Sequence, residues 1–476
     1  MVDYTIIGSG AGGSSIALQL LKQGKSVEIF EEGNFYNSDF FKKKKTDLLF
    51  DVWRNNGFIP ITGSPNIVYS EGVAVGGTSV INGGIITRTA NNIIDSWRAH
   101  HGLDIFNIKN ITRNYEFNER MLNVSLANNQ GNYSSRLLEI GAKKLGLSTK
   151  QAPRAVINCV NSNHCALGCP SGAKQSLDKT FLKEIVSLGG KIYSNKKLEK
   201  IFFRRNSVNE IQVFNKEDKS FFNKSIKNLI LCAGPIQTPK ILLKNKIIPR
   251  AHPLQFHANL KILALYPYEV NSYNSTIFTK HINEFEDDGV LMMSSNYIDP
   301  FLAAGLNNYK MQSIEYFMKN SFRGAIFNVQ IKLDDSYANL INNNFLRIFF
   351  MKWKLSQKDF FKIIKYLKKL SEVIFMGGAQ EIYLPINKAQ PCLRLDESFK
   401  QLSISKKNDL EINSVHGMST CSISKKIINN FISPEGRINN VSNLFVADAS
   451  ILPTNTGQHP QNIIMAATIE LGRLKQ

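Results

Sequence analysis

The sequence predicts an α/β protein, with a Rossmann-like dinucleotide-binding domain that is discontinuous along the chain and a second, α+β domain built on an antiparallel sheet. Three observations carry this. Residues 3–33 run strand, glycine turn, helix, strand and acid in register. Residues 225–243 and 436–474 each read as a strand leading into a helix. The 476 residues are too many for one ordinary core and suit two closely joined domains. The expected division assigns 1–95, 185–250 and 410–476 to nucleotide binding, and 96–184 and 251–409 to substrate binding and linking segments.

In DYTIIGSGAGGSSIALQLLKQGKSVEIFEEG, residues 3–33, the apolar run 4–7 is the first strand. Ile16, Ala17, Leu20 and Leu21 recur at helical spacing until Gly24 ends the helix. Residues 27–30 supply the second strand. Gly8, Gly10 and Gly13 fit the dinucleotide fingerprint: a tight turn, close approach of backbone to a pyrophosphate, and packing of helix on strand. Glu31, ending the second strand, is placed to accept hydrogen bonds from a ribose. In SIKNLILCAGPIQTPKILL a buried strand meets Ala233, Gly234 and Pro235 before a helix. GRINNVSNLFVADAS gives a strand ending at Asp448, and PQNIIMAATIELGRL a closing helix with proline in its first turn. Between 254 and 385, stretches such as NVQIKL (328–333) alternate like strands. One amphipathic helix spans 357–376, entered at Ser356 with Asp359 three residues on, and left at Gly377. Its stripe of Phe360, Ile363, Ile364, Leu367, Leu370 and Ile374 is expected to cover the second domain's sheet.

A composition 43% hydrophobic and 20% charged is that of an ordinary globular chain and excludes disordered and fibrous classes. No apolar run approaches the length of a membrane span. The motif at residue 3 leaves no room for a secretory signal ahead of it, so a cytoplasmic location is expected. The net charge of +20 permits acidic or membrane-surface partners. Its lysines are scattered, however, and no nucleic-acid partner is expected. The dense run FFKKKK (40–45) reads as a solvated loop.

Three further stretches resemble the signatures of glucose-methanol-choline (GMC) oxidoreductases. GVAVGGTSVINGGIITR (72–88) is similar to the family's second glycine-rich segment. NLILCAGPIQTPKILL is similar to a later signature, with Lys244 and Asn245 where Ser-Gly is usual. SVHGMSTCSISKK (414–426) and residues 439–474 look like its carboxyl-terminal block. The resemblance covers about half the chain, in the family's order. It implies non-covalent FAD and oxidation of an alcohol carbon, with Gly77, Asn82, Ala233 and Asp448 beside the cofactor. No histidine precedes His100, so the covalent histidyl link of some relatives has no counterpart. The helix beginning near Pro460 would point its positive end at the flavin pyrimidine.

Taking a hydroxyl proton while hydride leaves the carbon calls for a base, and a neutral imidazole suits that work. Eight histidines are present. The resemblance carries the family's pair onto His416 and His459 and leaves open which is the base, because Ser419 stands where the motif has glycine. The other histidines, His257 among them, read as structural. The substrate expected is a small alcohol or sugar-like molecule. The Phe and Tyr content of the middle segment points to an apolar or ring-shaped ligand, and electrons pass to oxygen, a quinone or an acceptor protein.

Cys159, Cys165 and Cys169 form C-x5-C-x3-C, followed by Pro170 and Gly172-Ala173. The run resembles the iron-sulfur segment of FAD-dependent sugar dehydrogenases. Zinc with His164 as a fourth ligand and plain structural thiols are the other two readings. A disulfide reductase would need a close cysteine pair near the first turn, and none occurs there. A non-catalytic flavoprotein or membrane-associated binding module is the remaining alternative, opposed by retention of both histidines.

Overall fold

The computed structural model describes residues 1–126, 132–343, 348–426 and 430–475. The opening apolar run becomes Tyr4–Ile7, the central strand of a five-stranded sheet. Val27–Phe30 and Leu229–Leu231 lie on either side of it, with Lys191–Tyr193 and Leu444–Val446 at the edges. All four pairings are parallel, and the three inner strands are buried throughout. Such strands read as continuous apolar runs because helices cover both faces. Helix Ala11–Lys22 packs against the closing helix Gln461–Arg473. A Cβ at Gly13 would lie 1.9 Å from the Gly8 carbonyl oxygen, so only glycine lets the helix come this close to the turn.

The second layer is a mixed, largely antiparallel sheet of twelve strands. Its long strand Gln255–Leu265 pairs antiparallel with Gly324–Lys332, and that strand with Val290–Ser294. Ile59–Thr62 and Ile67–Tyr69 also join this sheet, the latter beside Ile412–Ser414. The amphipathic helix is Gln357–Met376, with the Ser356 hydroxyl accepting from the Asp359 amide at 3.0 Å. Its apolar stripe is buried in the second core, together with Leu260, Ile262 and Val329 of the sheet. That stripe is therefore taken up by the fold and not offered to a membrane. Among the described residues no helix is long and apolar enough to cross one.

Candidate active site

The carboxyl ends of the parallel strands open onto a cavity of 630 Å³ that reaches across to the second sheet. At one end lie Gly8, Gly10, Glu31 and Ala233; at the other Asn82, His416 and His459; Gly77 and Asp448 line it as well. Gly13 sits behind the turn, as its packing demands. The size is that of a cofactor or small-ligand site.

The glycine-turn end has the features of an anion cradle. Helix Ala11–Lys22 begins without a side-chain cap, so its first amides are left for another acceptor. A Cβ on Gly10 would meet nothing nearer than Gly77 Cα at 3.8 Å, so the bare backbone faces open space. Glu31 accepts from the Ser9 amide (2.9 Å), the Ser9 hydroxyl (2.7 Å) and the Gly33 amide (2.8 Å). It clamps the turn and still lines the cavity, with acceptor capacity to spare. Asp448 ties the last strand to the middle segment. Its carboxylate accepts from the Gly234 amide (2.9 Å), the Thr238 hydroxyl (2.5 Å) and the Ser450 amide (2.8 Å). Burial pushes its carboxyl upward, and these bonds oppose the rise.

Asn82 sits on the loop after the short helical turn Gly77–Ile81. Its Nδ2 donates to Gln461 Oε1 (2.6 Å) at the start of the closing helix, and its Oδ1 accepts from the Gly84 amide (2.9 Å). Beneath this loop lies the cysteine-rich turn. Lys174 is buried with its Nζ donating to the carbonyls of Val80 (2.6 Å), Asn82 (2.9 Å) and Cys165 (2.7 Å). Arg154, also buried, donates to the Gly83 carbonyl at 3.1 Å. Burial lowers the Lys174 ammonium to about 8.

The iron-sulfur and zinc readings of Cys159, Cys165 and Cys169 are not supported. All six cysteines are free thiols, and no group of metal-ligating side chains forms among the described residues. The thiol sulfurs turn to different partners. Cys159 meets Thr276 Oγ1 (3.7 Å), Cys165 meets Arg154 Nη2 (3.6 Å), and Cys169 meets Ser171 Oγ and the Lys174 amide (3.5 and 3.4 Å). The turn's work is done by its lysine, which holds up the Asn82 loop.

At the far end three imidazoles meet. His416 follows strand Ile412–Ser414, and the Gly417 amide donates to Tyr69 Oη at 3.2 Å. The rings of His416 and His459 stand 5.3 Å apart at 82°, and those of His416 and His257 5.4 Å apart at 81°. His257 is wholly buried. Its Nε2 accepts from the Gly457 amide at 3.0 Å, and its Nδ1 lies 3.3 Å from His416 Nδ1. Burial lowers His257 to about 3 and holds His416 and His459 well below the usual imidazole range, with their mutual charge adding to it. One proton pattern satisfies these contacts. An accepting Nε2 puts the His257 proton on Nδ1, which then donates to His416 Nδ1, so that His416 carries its own proton on Nε2. Among the described residues, His459 Nδ1 is buried without a partner.

Reading His257 as structural missed this link. The signal was present in QFHANLKILAL, where His257, Asn259 and Lys261 alternate with apolar residues at strand period. The same alternation adds polar side chains to a cavity that also has an aromatic lining. Beside Phe278 and Phe301, the sheet turns Asn259, Lys261, Asn328, Gln330 and Asn413 toward the cavity.

Ser419 keeps the left-handed backbone that glycine favours, at φ 76°, so the altered motif does not alter the turn. The family model for GMC oxidoreductases matches its amino-terminal part to residues 5–262 and its carboxyl-terminal part to 342–468. The chain belongs to the GMC oxidoreductase family. A GMC-type oxidoreductase of Sinorhizobium fredii is 27% identical, over 98% of this chain and 93% of its own. A long-chain-alcohol oxidase of Arabidopsis thaliana is 23% identical, over 99% of this chain and 68% of its own. The GMC fold is shared with pyridoxine 4-oxidase from Mesorbium loti, at a TM-score of 0.74 and 13% identity, covering 100% of this chain and 99% of that one.

Proposed function

We propose that this chain binds FAD non-covalently and oxidises an alcohol, with His416 and His459 handling the hydroxyl. Membership of the GMC family supports it, and so does the name of the Arabidopsis relative, an alcohol oxidase. The observation that carries it is one cavity running from an uncapped helix amino terminus to a pair of neutral imidazoles. The residues fit the cofactor. Gly8, Gly10 and the first amides of the helix take the pyrophosphate, Glu31 a ribose, and Asn82, Gly77, Ala233 and Asp448 the remainder. When bound, FAD supplies the acceptor for the hydride.

The chain's own part is the proton. His416, with Nδ1 engaged by His257, presents Nε2–H and holds the substrate oxygen as a donor. Proton acceptance then falls to His459 Nε2, because among the described residues nothing engages its Nδ1 and the ring is free to hold its single proton there. Burial keeps both rings neutral, which is the form a base needs. Electrons leave afterwards to oxygen, a quinone or an acceptor protein.

Replacing His459 with Ala slows anaerobic flavin reduction about 10²- to 10⁴-fold and leaves FAD content near normal. His416→Ala raises KM as well as lowering the rate, since it removes the donor that positions the oxygen. Single variants that both reduce flavin at the wild-type rate would defeat the assignment.

A further inference from the structure

The wall facing the histidines carries an unanswered positive charge. Lys261 lies on the central strand Gln255–Leu265, amid the buried neighbours Leu260 and Ile262. Its side chain lines the cavity. Its ammonium rests 3.5 Å from the centre of the Phe301 ring, and among the described residues it makes no hydrogen bond and no ion pair. Glu411 is the carboxylate that acts on it electrostatically. That group lies beyond ion-pair contact and receives a hydrogen bond from Asn308 Nδ2 (3.1 Å). The side chain is only part-buried and open to the cavity, and a ligand that displaces water there would have to supply the ammonium with acceptors, because a ring face meets only part of that need.

The residue two positions back points the same way. Asn259 is 6% exposed and lines the same cavity. Its Oδ1 accepts from Asn328 Nδ2 (3.3 Å), while its own Nδ2 has no partner among the described residues. Across the sheet Asn259 stands opposite Gln330 and Lys261 opposite Asn328. Side chains of alternate residues share a face, so His257, Asn259 and Lys261 follow one another along one wall at intervals of about 7 Å. The first supports the imidazole at the hydroxyl end. The other two offer donors that meet no acceptor among the described residues.

From this we infer that the substrate is an alcohol that also bears an anionic group, a hydroxy acid whose carboxylate is received by Lys261 and Asn259 while its hydroxyl lies at His416 and His459. The inference rests on the alcohol-oxidation reading for the hydroxyl end, but the anion site stands on its own residues. It sets this chain apart from enzymes for neutral long-chain alcohols, whose carbon tails would leave the lysine and the amide unpaired.

Matched pairs that differ only in the acid group test it: 6-hydroxyhexanoate against 1,6-hexanediol, and gluconate against glucitol. Binding to the holoenzyme is measured by calorimetry under anaerobic conditions, and flavin reduction is followed in parallel. The acids are expected to bind at least about tenfold more tightly than their neutral partners, the worth of one charge-assisted bond. Lys261→Met should abolish that ratio and Lys261→Arg should retain most of it, which separates loss of charge from loss of folding. Equal binding of acid and neutral partner, binding by neither, or a preference that survives Lys261→Met would overturn the inference. Acids that bind selectively without reducing flavin keep the anion site and count against alcohol oxidation. Reduction by diol and acid with equal efficiency does the reverse.

Discussion

His257 shows how much one buried side chain can decide. It touches no substrate, yet through the Gly457 amide on one side and His416 on the other it fixes which nitrogen His416 offers. Its burial also makes it an acid-sensitive element. The folded chain refuses a proton at His257 until about pH 3, whereas the unfolded ring accepts one near 6.5. The stability this gives is present in full above pH 6.5 and falls as pH drops, by about 1.4 kcal/mol per unit. Denaturant unfolding at pH 7 and pH 5 should therefore differ by more in the wild type than in His257→Asn. Equal differences would mean that the ring is not the neutral link described. Ser419 yields a second prediction. A non-glycine residue at φ 76° whose buried hydroxyl has no partner among the described residues is strained twice over. Ser419→Gly should raise stability by about 1 kcal/mol, read as an upward shift of the denaturant midpoint, and a lower midpoint would show that the hydroxyl is satisfied after all.

At the scale of elements, pattern and capping were legible where a single periodicity ran uninterrupted. The helix over 357–376 announces itself by Ser356, Asp359 and an apolar stripe, and it forms over those residues. The opening strand, turn and helix are equally plain, because steric demands at Gly8 and Gly13 leave few alternatives. What sequence order conceals is lateral pairing. Ile59–Thr62 and Ile67–Tyr69 follow the first nucleotide-binding strands closely in the chain, yet they extend the second sheet. Of the three readings of the cysteine-rich turn, the two that bind metal are not supported, for a related reason. Three thiols near in sequence suggest ligands, but the turn directs their sulfurs to separate partners and sends the lysine inward. Lys174→Met would leave three carbonyls without their donor and should cost about 2–4 kcal/mol. It should also weaken FAD retention, since Val80 and Asn82 belong to the loop it supports. Dialysis of the variant and the wild type side by side, followed by flavin quantitation, checks this. Unchanged retention would confine the lysine to a structural role away from the cofactor.

Across the whole molecule, both ends of the chain and its middle converge on one cavity. Tyr4–Ile7, Leu229–Leu231 and Leu444–Val446 are adjacent in the parallel sheet although more than two hundred residues separate each from the next. The glycines, the acid and two of the three histidines could be named from sequence because their chemistry is written in local motifs. The third histidine and the donor-lined wall could not, since their meaning comes from a sheet face assembled out of distant strands. On the function proposed above, this cavity holds FAD and delivers an alcohol's hydride to it. The most direct test of that function is anaerobic addition of a panel of primary alcohols, secondary alcohols and hydroxy acids to the purified flavoprotein, following loss of the visible flavin absorption and formation of carbonyl product. The flavin is expected to copurify, to be released by acid or heat, and to bleach with at least one of these with carbonyl formed in equal amount. A folded protein that takes up no flavin under any reconstitution, or a flavoprotein whose spectrum no alcohol changes, would contradict it.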